Sequence, residues 1–252
     1  MVYFVGAGPG AVDLITVRGA ELLKKADVII YAGSLVNPEL LNYAKKECII
    51  YNSASMTLEE VMNIMEESHK NNQIVVRLHT GDMSIYGAVR EQSDILKSKN
   101  IPFESVAGVS SFLGAAAALN AEYTLPSISQ TVILTRMAGR TPVPEKENIR
   151  LLASHQASMV IFLSSSMLKS LSEELIAGGY SKDTPCAIIY KVTWEDELKV
   201  VTTLENLEKA GRENNISKTA LVLAGDFLGD EYERSKLYDG TFSHEFRKGT
   251  DG

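Results

Sequence analysis

The chain has 252 residues, enough for one large domain or two modest ones, and its 45% hydrophobic and 23% charged content is that of a globular protein. A net charge of −7 excludes a general nucleic-acid binder, which needs a basic surface, while leaving room for an anionic small molecule met by a few local arginines. No apolar run approaches the ~20 residues of a membrane helix, His69, His79, His155 and His244 show no metal-ligand spacing to each other or to Cys48 and Cys186, and the two cysteines read as free thiols of a cytoplasmic protein.

The chain opens on a short apolar run, residues 2–5, that reads as a strand. It leads into Gly6-Ala7-Gly8-Pro9-Gly10-Ala11-Val12-Asp13-Leu14, a glycine-rich turn, and then into a helical pattern over 15–26. Glycines let backbone approach a ligand, and a helix N-terminus offers free N–H groups. Gly6, Gly8 and Ala11 fit the loose dinucleotide pattern G-x-G-x-x-G/A. That reading also wants an acid at the end of the second strand to hold the ribose. The second strand, 28–31, ends in Tyr31-Ala32-Gly33, and Asp27 stands at its other end. Pro9 removes a backbone donor from the turn, and no G-x-x-x-x-G-K-[ST] occurs. From this segment alone, a ligand-free strand–helix connection is as open as a binding turn.

Further strands are expected over 48–51, 74–78 and 103–106, with helices between them. The clearest helix starts at a capping box, Thr57 to Glu60, and places Val61, Ile64 and Met65 on one face. Such alternation predicts a mostly parallel sheet covered on both faces. Two more strand-end loops stand out. One is His79-Thr80-Gly81-Asp82-Met83-Ser84-Ile85-Tyr86-Gly87. The other is Ala107-Gly108-Val109-Ser110-Ser111, ahead of a small-residue helix over 112–119. Asp82 reads either as a helix cap or turn former, or as a carboxylate aimed at a ligand. Ser110 and Ser111, taken singly, read as caps.

Residues 120–129, with Pro126, look like a connection. A second alternation has strands over 131–134, 159–163, 186–190, 198–202 and 220–224. The segment 192–198 resembles a hairpin, so some antiparallel pairing is expected there. Arg136 and Arg140 flank a Met-Ala-Gly loop at a strand end and are either solvated surface or a clamp for carboxylates. Trp194, the sole tryptophan, reads as packing. The expected fold class is α/β, with two α/β domains, residues 1–119 and 120–252, whose strand ends face a ligand cleft. The tail, 229–252, is polar and is expected to end in a loose arm. No Ser–His–Asp order, paired carboxylates or metal motif stands out.

Together the loops are distinctive. The segments VGAGPGAVDLIT, VVRLHTGDMSIYGA, AGVSSFLGAAAAL and TALVLAGDFL resemble the tetrapyrrole methylases. VIIYAGSLVNPELL, EYTLPSISQTVILTRMAGRTPVPE and ASMVIFLSSSM extend the similarity over nearly the whole chain. The resemblance implies a two-domain enzyme with S-adenosyl-L-methionine as cofactor, an anionic tetrapyrrole of corrin-ring biosynthesis as substrate, and a homodimeric assembly. In that family the first turn binds no phosphate and lies at the floor of the cleft. Carried over by position, the cofactor would touch Pro9, then Gly81, Asp82 and Ile85, then Ser110 and Ser111, and finally Leu163, Val192 and Ala220.

Arg136 and Arg140 are the first candidates to meet substrate carboxylates, with Arg77 and Arg90 weaker ones. One departure is Met83, where the family's second loop usually reads G-D-P. No catalytic side chain or metal is implied, because in-line transfer from a sulfonium to an electron-rich carbon needs mainly alignment and exclusion of water. The alternatives are a methylase acting at another ring carbon, a non-catalytic carrier of the macrocycle, and a nicotinamide-dependent oxidoreductase. The missing ribose acid disfavours the last, and three polar loops converging on one place disfavour the carrier.

Overall fold

The first half forms five strands: β1 (Val2–Gly6), β2 (Val28–Tyr31), β3 (Ile49–Asn52), β4 (Val75–His79) and β5 (Phe103–Val106). In the computed structural model, which describes residues 1–250, all pair in parallel, in the order β3-β2-β4-β1-β5. The helices of this half are α1 (Val17–Lys25), α2 (Leu58–Lys70), α3 (Val89–Ser98) and α4 (Ser111–Leu119). Side chains alternate across the strands, so each face buries its own apolar layer. Val76 and Leu78 of β4 join Val5, Ile29 and Leu23 of α1 on one face. Val75 joins Phe4, Ile30, Met65 of α2 and Leu96 of α3 on the other. The capping box that starts α2 is present in full: Thr57 Oγ1 accepts from Glu60 N–H, and the Glu60 carboxylate accepts from Thr57 N–H.

The first helix starts later than its pattern suggests. Val12–Leu14 forms a 3₁₀ turn, and Thr16 caps α1 by accepting from Gly19 N–H. The helix N-terminus is therefore separated from the glycines.

The second half contributes β6 (Val132–Arg136), β7 (Ser158–Phe162), β8 (Pro185–Tyr190), β9 (Leu198–Thr203) and β10 (Ala220–Ala224), in the order β6-β7-β10-β8-β9. β6 and β7 run parallel, whereas β10 is antiparallel to both β7 and β8, and β8 to β9. The antiparallel pairing expected from the hairpin-like segment is thus present. Helices α5 (Ile149–Ala153), α6 (Leu168–Ala177) and α7 (Leu207–Glu213) cover a core that includes Ile161, Leu171, Leu175, Ile188 and Val222. The chain clusters into two compact units: Met1–Ala115 with Lys191–Glu197, and Ala116–Tyr190 with Leu198–Gly252. The connection from β8 to β9 thus belongs with the first unit.

Of the tail expected to end in a loose arm, residues 251 and 252 lie outside the described residues. The described part carries local order. Lys236–Tyr238 forms a 3₁₀ turn, His244 and Arg247 pair through their backbones, and the Arg247 guanidinium donates to the carbonyls of Leu237, Asp239 and Phe242.

Candidate functional site

β1 lies between β4 and β5 in the first sheet. The chain leaves β1 for α1 on one face and leaves β4 for α3 on the other. The C-terminal ends of β1 and β4 are therefore a topological switch point, where open α/β sheets leave a crevice for ligands. The three loops singled out by the sequence depart from these adjacent strands and are knotted together. Gly8 N–H donates to Gly81 O at 3.2 Å, and Gly81 N–H returns to Gly8 O at 2.8 Å. A Cβ on Gly6 would lie 2.6 Å from Gly108 Cα and 2.7 Å from Gly81 O, and one on Gly108 would collide with Gly81 O. Backbone approach, and a φ of +59° at Gly81, demand glycine here.

Asp82 braces this knot. Its Oδ2 accepts from Gly108 N–H at 2.7 Å, tying the second loop to the third, while Oδ1 accepts from Ser84 N–H at 2.9 Å and from the Ser84 hydroxyl. The helix-cap reading does not describe it, because α3 starts only at Val89 with no side-chain cap. Burial opposes ionisation of Asp82. The Gly108 N–H and the Ser84 donors outweigh it and hold the carboxyl below its ordinary value. Ile85 N–H donates to Asp82 O at 3.3 Å. Met83, in place of the family's proline, packs on the apolar layer under α2 and α3. In the third loop Ser110 is buried, and its carbonyl accepts from Leu113 and Gly114 N–H as α4 begins at Ser111. Pro9 lies against that helix, 3.2 Å from where a Cβ on Gly114 would sit.

Three backbone donors of the first turn are already committed. Ala7 N–H donates to His79 O at 2.7 Å, Gly8 N–H to Gly81 O, and Ala11 N–H to Thr193 Oγ1 at 2.9 Å. Pro9 has none. Asn37 Nδ2 holds Gly10 O at 3.0 Å, and Trp194 packs so closely on Gly10 that a Cβ there would strike its indole. A pyrophosphate cradle needs such N–H groups free, so the commitment of these three, with Pro9 offering none, disfavours a dinucleotide or a P-loop ligand. Val192 is buried on the same strap, beside Gly114. Thr193 and Trp194 were not among the expected site residues. Their only sequence signal is position, in the turn between two paired strands.

Beneath the second loop lies a buried polar layer. Arg77, a weaker candidate for substrate carboxylates, points inward: Nη1 donates to Ile30 O at 3.2 Å and Nε to Gln92 Oε1 at 3.4 Å. Gln92 Nε2 passes the connection to Ala88 O at 2.9 Å, at the left-handed residue that closes the loop. Arg90 is exposed and paired with Asp94 at 2.8 Å, an ordinary surface pair. His79 is buried, and its Nε2 has no hydrogen-bond partner. Burial, then the nearby Arg77 charge, lowers its pKa to about 3 against a smaller opposing pull from Asp82, so the ring is neutral.

Pro9, Gly81, Asp82, Ile85, Ser110, Ser111 and Val192 thus lie in the first unit, and Leu163, Ala220, Arg136 and Arg140 in the second. Leu163, just past β7, takes a left-handed φ of +52° and is 65% exposed, an unusual combination for a leucine. Ala220 opens β10. The Arg136 guanidinium is folded onto its own loop, donating to the carbonyls of Met137 and Thr141 at 3.2 Å and of Pro142 at 2.7 Å. Arg140, in the loop that Arg136 organises, is exposed and has no partner among the described residues. No cluster of metal-ligating side chains occurs among the described residues.

The family model of the tetrapyrrole (corrin/porphyrin) methylases matches residues 1–208. The chain is 52% identical to the cobalt-precorrin-4 C(11)-methyltransferase of Methanocaldococcus jannaschii, over 98% of this chain and 96% of the relative. It is 41% identical to the precorrin-4 C(11)-methyltransferase of Pseudomonas aeruginosa, over 98% and 99% respectively. A solved structure of a cobalamin biosynthetic enzyme, cobalt precorrin-4 methyltransferase, matches with a TM-score of 0.89 at 47% identity, covering 91% of this chain and 96% of that one. The chain belongs to the tetrapyrrole methylase family.

Proposed function

We propose that this protein transfers the methyl group of S-adenosyl-L-methionine to C(11) of precorrin-4 or cobalt-precorrin-4, in cobalamin biosynthesis. The observation that carries the reading is the three-loop knot at the switch point, with three N–H groups of its first turn committed and an ionised Asp82 at its centre. Such a site suits a cofactor that has no phosphate and carries a cationic centre. It does not suit NAD or ATP. Bound there, the cofactor supplies an electrophilic methyl group on a sulfonium. The chain's own work is alignment and exclusion of water. Asp82 fixes the spacing of the second and third loops, and Pro9, Ile85 and Val192 offer apolar wall, while Leu163 and Ala220 are proposed as cofactor contacts on the family resemblance alone. Arg140 meets a substrate carboxylate, while Arg136 builds the loop that presents it.

The higher identity to the relative named for the cobalt form favours a cobalt-containing substrate. The unpaired Cys48 and Cys186 support a reducing, cytoplasmic setting. A homodimer is proposed on the family resemblance, and light scattering is its test. The reaction itself is tested by incubating the protein with ¹³C-methyl-labelled cofactor and either metal-free or cobalt-loaded precorrin-4. A labelled methyl on C(11) is expected. Label on another ring carbon would assign the protein to a different methylase of the family, and no label in either product would overturn the reading.

A further inference from the structure

The strap between β8 and β9, Lys191–Glu197, clusters with the first unit although both strands that flank it belong to the second. It is held in a conformation that its residues resist. Lys191 and Thr193 take φ of +44° and +65°, the left-handed region that a β-branched threonine enters only at a cost in free energy. The strap contains neither glycine nor asparagine to ease that geometry. Local bonds offset the strain. Trp194 N–H donates to Lys191 O at 3.0 Å, and Glu197 N–H to Trp194 O at 3.1 Å. Thr193 N–H donates to the Glu197 carboxylate at 2.7 Å. Lys191 pairs with Asp196 at 2.6 Å, and its ammonium lies 5.5 Å from the centre of the Trp194 ring.

The strained geometry delivers two side chains onto the first turn. Thr193 Oγ1 accepts from Ala11 N–H at 2.9 Å. The Trp194 indole covers Gly10 so closely that an added Cβ there would lie 2.2 Å from its Cδ1. Asn37 Nδ2 holds the Gly10 carbonyl at 3.0 Å, so Gly10 is fixed by an indole and an amide. Pro9 and Val192 meet at one point of α4: a Cβ on Gly114 would lie 3.2 Å from the Pro9 ring and 3.3 Å from the Val192 side chain. Both are wall residues of the function proposed above. Thr193 and Trp194 follow Val192 in the strap, and Gly10 and Ala11, which they hold, follow Pro9 in the turn.

We propose that Thr193 and Trp194 are positioning residues of the cofactor site: they set the first turn so that Pro9 and Val192 form one wall against α4, and cofactor binding is felt at the Trp194 indole. The proposal rests on the function proposed above. Neither side chain touches the cofactor; each acts through the turn it holds. Without the Thr193 hydroxyl the Ala11 N–H loses its acceptor, and the turn is free to move to find another. A displacement of about 1 Å is enough to spoil the alignment that in-line transfer needs.

The test uses the full chain, with Trp194 as its own reporter because it is the sole tryptophan. Thr193→Val keeps the branching and the size but removes the acceptor of the Ala11 bond; Thr193→Ser keeps the hydroxyl. By calorimetry, Thr193→Val should weaken S-adenosylhomocysteine binding about tenfold, and Thr193→Ser should retain most of the wild-type affinity. In the wild type, Trp194 emission should change on titration with S-adenosylhomocysteine, with a midpoint equal to the calorimetric Kd. A Thr193→Val protein that melts lower but binds S-adenosylhomocysteine as the wild type does overturns the proposal, since the strap then serves the fold alone. Equal weakening in the valine and serine variants also overturns it, because the hydroxyl is then not the acting group. Should Thr193→Val not fold, the wild-type emission decides: a saturable change supports the proposal, and no change at saturating S-adenosylhomocysteine overturns it. Failure of the wild type to bind S-adenosylhomocysteine strikes the proposed function and this inference together, whereas unaltered affinity in the valine variant strikes this inference alone.

Discussion

Replacing His79 by leucine should remove a specific acid sensitivity of the fold. In the unfolded chain a histidine has a pKa near 6.5, whereas the buried His79 is lowered to about 3. Between these values the unfolded chain binds a proton that the folded chain refuses, so stability falls as pH drops below 6.5 and recovers as pH rises. At pH 5.5 about ten unfolded molecules carry that proton for each that does not, a cost to the folded state of about 1.4 kcal/mol relative to neutral pH. For a chain of this size that is a lowering of the melting temperature by about 3–6 °C. The carboxyls held low, Asp27 and Asp82, lose their contributions only below their unfolded pKa near 4 and so lie outside this window. At neutral pH the leucine variant should hold its stability, because it removes a buried nitrogen that has no partner. Melting curves of both proteins at pH 7.5 and 5.5 decide the matter. The wild type should lose the stated increment and the variant should not. Equal losses in both proteins, or an NMR titration placing His79 near 6.5, would refute the argument.

Other outcomes follow from the same geometry. Asp82→Asn keeps the shape but gives up the charge on the 2.7 Å bond to Gly108. It should cost about 1–2 kcal/mol in urea unfolding and weaken S-adenosylhomocysteine binding by about tenfold in calorimetry; unchanged affinity would leave Asp82 a purely structural brace. Gly108→Ala drives a methyl into Gly81 O and should destabilise by about 1–3 kcal/mol with loss of cofactor binding; a wild-type melting curve would contradict the knot. Arg140→Gln should raise the tetrapyrrole KM severalfold at unchanged melting temperature, since partly exposed carboxylate contacts are worth about 1 kcal/mol. Arg136→Gln should in addition lower the melting temperature, because it frees the carbonyls of its loop.

Where the sequence was legible, a short-range pattern was the reason. The strand at 28–31 is found at those residues, because a continuous apolar run bounded by polar turns has few other ways to bury itself. The capping box at Thr57 announces α2 by local chemistry alone. The site was legible as three loops and not as their connections. Ala11 N–H meets Thr193 Oγ1 across 182 residues, and no local pattern in either segment records that meeting. Asp82 has the same sequence context whether it caps a helix, faces a ligand or reaches across to Gly108, and only the neighbouring positions of β4, β1 and β5 select the last. Arg77 and Arg136 look like free cations in the sequence. One is turned inward by strand alternation, and the other is spent on the carbonyls of its own loop.

The central claim is that the switch-point knot of the first unit serves a phosphate-free, sulfonium-bearing cofactor. Isothermal calorimetry of the wild-type protein with S-adenosylhomocysteine and, separately, with NADH tests it most directly. The account predicts one S-adenosylhomocysteine per chain, bound more weakly by Asp82→Asn, and no heat from NADH. Saturable binding of NADH without binding of S-adenosylhomocysteine would contradict it.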